Sequence, residues 1–107
     1  MELTEYQGLA RRTQNPALNR HQRLEHALFG LCSEVGEIHS IYQKGHQGHP
    51  VCTEAVVDEL GDLLWFAGEL CDVLGVDLGD VARFNVEKLK TRYPDGFSTE
   101  KSLNREV

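Results

Sequence analysis

Apolar positions recur at alternating steps of four and three through two long stretches of the chain, with short polar connectors between them. Leu24, Leu28, Leu31, Val35, Ile38 and Tyr42 form the first stripe, the spacing of an amphipathic helix. Asn19 followed by Gln22 is a capping box at its start, and Gly45 opens the connector Gly45-His46-Gln47-Gly48-His49-Pro50 at its end. The second stripe, Val56, Leu60, Leu63, Ala67, Leu70 and Leu74, begins after a candidate N-cap at Thr53 and stops at Gly75. Two shorter helices flank the pair. One runs from a Thr4–Gln7 capping box to about Thr13, ahead of Asn15-Pro16. The other is capped by Asp77, carries Val81, Phe84 and Leu89, and ends at Tyr93, where Pro94-Asp95-Gly96 turns into a polar tail. The pattern predicts an all-α, four-helix bundle with no strand and no internal repeat.

Length places residues 1–107 in one domain with one small core, short enough that oligomerisation is the expected source of further buried surface. The formal charge of −6, from 17 acidic against 11 basic residues, disfavours a nucleic-acid groove, which needs a surplus of Lys and Arg. No apolar run approaches a membrane span. Cys32, Cys52 and Cys71 cannot all pair and form no C-x-x-C, and the N-terminus lacks an apolar leader segment; a reduced, cytoplasmic protein is expected.

The acidic residues change the picture. By helical-wheel arithmetic, Glu34 and Glu37 lie about 70° and 130° to one side of the first stripe, and Glu59 and Asp62 lie at the same angles and hand from the second. Two helices joined by a short connector pack antiparallel, so all four carboxylates are expected on one face at similar heights. Like charges gathered at a core edge are destabilising unless protonated, splayed or neutralised, and oxygen-only ligands suit Mg²⁺ or Mn²⁺. Four acids suggest two or more ions, an arrangement that serves phosphoryl chemistry. On the last helix Asn85, Lys88 and Arg92 make a polar, cationic row suited to phosphate oxygens.

At these residues the sequence resembles the MazG-like, all-α nucleoside triphosphate pyrophosphohydrolases, whose signature is E-x-x-E on one helix and E-x-x-D on the next. The matching residues are Glu34-Val-Gly-Glu37 and Glu59-Leu-Gly-Asp62, flanked by Gly30-Leu31, by Leu63-Leu64-Trp65 and by the late stretch NVEKLKTRYPDGF from residue 85. The resemblance implies that Glu34, Glu37, Glu59 and Asp62 are Mg²⁺ ligands and that Lys88 and Arg92, with Asn85, bind phosphates. It also implies hydrolysis of a nucleoside triphosphate between the α and β phosphates, and a homodimer or a dimer of dimers. Ser33 stands where many members carry a further Glu.

Phe66, one turn after Asp62, is the better candidate of the adjacent aromatics for contact with a base. His46 and His49 sit in a Gly-rich connector and receive no role. A di-iron bundle would need Glu-x-x-His on two helices, which neither acid motif supplies. Two rivals stay open: an enzyme like phosphoribosyl-ATP pyrophosphohydrolase, and a non-catalytic helical oligomerisation or regulatory module.

Overall fold

The computed structural model describes residues 1–105, so positions 106 and 107 of the expected polar tail lie outside it. It is all-α: α1 (Leu3–Arg11), α2 (Arg20–Gly45), α3 (Thr53–Leu74), α4 (Leu78–Arg92) and α5 (Thr99–Leu103), with no β-strand among the described residues. Local chemistry explains most boundaries. The Asn19 side chain accepts from the Gln22 amide and the Gln22 side chain accepts from the Asn19 amide, both at 2.9 Å, which closes the capping box of α2. Gly75 ends α3 in the left-handed region, φ 72°, where an L side chain would be strained. Asp77 caps α4 by accepting from the Gly79 amide.

Three local expectations are corrected. Thr53 is the first residue of α3, and Cys52 occupies the N-cap without capping a backbone amide, its thiol donating instead to Glu54 Oε2 at 2.9 Å. Residues 99–103 of the tail form a further short helix, α5, capped by Ser98. Thr4 and Gln7 do not form a capping box; Glu2 is the N-cap of α1. Thr4 Oγ1 donates instead to Asp77 Oδ1 at 2.7 Å, while Gln7 Nε2 donates to Asp72 Oδ1 at 2.8 Å and Gln7 Oε1 accepts from the Leu78 amide at 2.6 Å. Gln7 is buried, and a buried amide must be hydrogen-bonded. Its partners lie across the α3–α4 junction, so tertiary need overrides the local motif.

The central element is the α2–α3 pair. Contacts pair Gly45 with Val51, Gly30 with Phe66 and His26 with Glu69, so the two helices run antiparallel. Ala27 and Gly30 are buried along this seam, Ala27 completely, and a Cβ on Gly30 would overlap the Phe66 ring. Glycine here permits close approach. The buried face of α2 is therefore rotated from the centre of its apolar arc. Leu28, Val35 and Tyr42 are exposed in the single chain, as are Leu60 and Leu74 of the second stripe. α1 packs on α3 and α4, and α4 touches α3 only lightly. The radius of gyration, 17.1 Å, exceeds the roughly 13 Å of a compact chain of this length, because α4 projects from the pair rather than closing it.

Candidate functional site

Midway along the α2–α3 seam, Glu34, Glu59 and Asp62 each place one carboxylate oxygen within 4.8 Å of the others. The i,i+3 spacing of Glu59 and Asp62 sets both on one side of α3, and the antiparallel register sets Glu34 opposite them. Oε2 of Glu34 is buried and meets no donor. Glu34 and Glu59 can hydrogen-bond only by sharing a proton between their two carboxylates. That bond, then burial, then the negative charges of Glu59, Asp62 and Glu37, push its carboxyl up to about 7. Glu37 is exposed, one turn along α2, close enough to act on Glu34 through its charge but outside the gathered trio.

This donor set fits a hard divalent cation. It offers oxygen atoms alone, converging from two helices, with a buried oxygen that has no other partner. A cation bound there would replace the proton on Glu34 and remove the repulsion that raises it.

The cationic row sits elsewhere in the single chain. Lys88 and Arg92 line a groove of about 620 Å³ between α4 and α5, with Phe84, Thr91, Lys101 and Arg105. Neither is among the charges acting on Glu34. Asn85 is exposed on α4 and does not line that groove. Phe66 lies one turn beyond Asp62, its ring set into the seam against Gly30 and edge-on to Trp65 at 5.1 Å.

Three residues near the seam were not singled out from sequence. Burial, and after it the charge of Asp62, raises the pKa of the Tyr6 phenol on α1. His26 and Glu69 meet at 2.6 Å, and among the described residues Glu69 is the largest side chain that is completely buried. A Glu in the mostly apolar second half of α3, which it shares with Asp72, was the one available signal, since Glu is almost never fully buried without a partner.

Comparison with known protein families gives one match: the MazG nucleotide pyrophosphohydrolase domain, over residues 22–97. The matched span covers both acid motifs, the seam and the cationic row. No curated protein and no solved structure matches the chain.

Proposed function

Since the chain belongs to the MazG nucleotide pyrophosphohydrolase family, we propose that it is a Mg²⁺-dependent nucleoside triphosphate pyrophosphohydrolase. It would cleave between the α and β phosphates to release a nucleoside monophosphate and pyrophosphate. The observation that carries this reading is the convergence of Glu34, Glu59 and Asp62 around a buried oxygen with no donor. Those three residues would hold the cation, with Glu37 beside them. When bound, a divalent cation supplies charge neutralisation at the attacked phosphate and a nucleophilic water at neutral pH.

The chain's own residues do the rest. Glu34 would hold the cation as a carboxylate, its buried oxygen with no donor serving as a ligand atom. Glu37, exposed and one turn away, keeps a carboxylate available to accept a proton from water or to hold a further ion. Lys88 and Arg92 grip the outer phosphates, the ammonium as a point charge and the guanidinium as a fork. In this reading a second copy brings that row to the acid cluster, as a homodimer or a dimer of dimers. Support comes from the open single-chain shape and from the exposed apolar residues Leu28, Phe29, Val35 and Tyr42 along α2. Removal of unwanted nucleotides from the pool is the physiological role proposed. No helix among the described residues is long and apolar enough to cross a membrane.

The test is product analysis after incubation with ribo- and deoxynucleoside triphosphates in Mg²⁺, Mn²⁺ or chelator. Monophosphate and pyrophosphate, formed only with metal, are expected. Diphosphate and phosphate as products, or turnover in chelator, would overturn the reaction. Silence towards nucleoside triphosphates with turnover of phosphoribosyl-ATP would move the substrate while keeping the chemistry.

A further inference from the structure

The acid cluster continues along the seam into a second polar contact that the proposed chemistry does not use. His26, Gly30 and Glu34 form an i, i+4, i+8 row on α2, and they face Glu69, Phe66 and the Glu59–Asp62 pair of α3 in that order. His26 therefore stands roughly 12 Å along the helix axis from Glu34, from eight residues at ~1.5 Å rise. That is the scale separating the 5′-phosphate of a nucleotide from the far edge of its base.

Chemistry at the far end is specific. Glu69 is only 1% exposed, and its Oε1 lies 2.6 Å from His26 Nδ1. A carboxylate this close takes the Nδ1 proton as a hydrogen bond, which fixes the tautomer and leaves Nε2 of the neutral ring as an acceptor. The imidazole is nearly half exposed, 46%, so its outer edge is open. Its orientation is fixed a second time by aromatics: Trp65 stands edge-on at 6.1 Å and Phe66 at 5.4 Å. Trp65 is itself tethered, its Nε1 donating to Thr13 Oγ1 at 2.8 Å. A buried acid, an oriented imidazole and two aromatic rings at the end of a phosphate site make a place to read a planar heterocycle.

We propose that His26, oriented by Glu69, reads the nucleobase edge through Nε2 and favours bases that present an amino group over those with a carbonyl at the same position. The assignment rests on the acid cluster being the phosphate site of the proposed function. His26 would be a substrate-binding residue; Glu69, acting through it, a positioning residue.

The test uses Trp65, the sole tryptophan, as a fluorescent reporter of binding by the full-length protein. The probes are α,β-imido analogues of dCTP and dUTP, and of ATP and ITP, in Mn²⁺; each pair differs in an amino group against a carbonyl. In at least one pair the amino form should bind about tenfold more tightly, the scale of one hydrogen bond. His26→Phe should abolish that preference while leaving Mn²⁺ affinity unchanged. Glu69→Gln, whose amide donates as well as accepts, admits either tautomer and should narrow the preference; it also serves if His26→Phe fails to fold. Equal binding within both pairs, a preference for the carbonyl forms, a preference that survives His26→Phe, or one that Glu69→Gln leaves undiminished overturns the inference. Parallel pyrophosphate assays separate the two readings. Turnover with a base ratio untouched by His26→Phe keeps the hydrolase and removes this role, whereas His26-dependent discrimination in binding without turnover keeps the role and removes the hydrolase.

Discussion

Asp72 and Glu34 are both drawn into the helical core, yet their surroundings are opposite. Asp72 is met on both oxygens: Oδ1 accepts from Gln7 Nε2 at 2.8 Å and Arg11 Nη2 at 2.7 Å, and Oδ2 accepts from Gln14 Nε2 at 2.6 Å. Burial pushes its pKa up, but those bonds outweigh burial and hold the carboxyl below its ordinary value. Glu34 is met by other acids, has a buried oxygen with no donor, and is pushed up to about 7. Donors supplied by α1 and the segment just after it make one acid a strut between elements. Where the fold supplies further acids instead, the group is left incomplete, and incompleteness is what a ligand can repair.

The sharpest way to break the comparison is Glu34→Gln. It should lower metal-dependent turnover by about 10²-fold or more, the scale of losing one preorganised electrostatic group. Metal-free melting at pH 8 should hold steady or rise, because a repelled charge has been removed. Pyrophosphate release and thermal melts together check this, and a large loss of stability would make Glu34 a strut like Asp72. Asp72→Ala should do the reverse. It strands Gln7, Gln14 and the partly exposed Arg11 without their acceptor, costing roughly 2–3 kcal/mol in a denaturant melt, while turnover per folded molecule stays near normal.

The smallest effect is the dependence on pH. Glu34, raised from 4.5, contributes stability that is complete below about 4.5 and lost as pH climbs through about 7. Asp72, lowered from 3.8, contributes stability that is present above 3.8 and lost as pH falls through its folded value. Metal-free protein should therefore melt a few degrees lower at pH 8 than at pH 5, and Mn²⁺ should reverse that fall. A further decline below pH 4 should respond to Asp72→Ala and be indifferent to Mn²⁺.

Much of the site was legible before any coordinates. The i,i+3 pairs Glu34–Glu37 and Glu59–Asp62 are local, so spacing and a short connector sufficed to face them, and the structure gathers three of the four within reach of one ion. The apolar stripes located α2 and α3 but overstated their burial, since an arc wide enough for two contacts looks the same on a wheel as one fully covered. Leu28, Val35 and Tyr42 lie on the uncovered part. Thr4 and Gln7 misled for a related reason: a capping motif and a tertiary link use the same hydrogen-bonding groups. The His26–Glu69 pair was out of reach, since 43 residues separate its members and only the α2–α3 register brings them together.

By itself the amino-acid order determined that this chain is helical, where α2 and α3 begin or end, and which acids could share a face, because those properties depend on neighbours within a turn or two. The tertiary structure decided which carboxylates meet and which is left without a donor. It also decided that Gln7 serves Asp72 rather than its own helix, and that Lys88 and Arg92 line a groove between α4 and α5. Those outcomes depend on helix rotation and register, which follow from close approach at Gly30 against Phe66 and from the satisfaction of buried polar groups across elements.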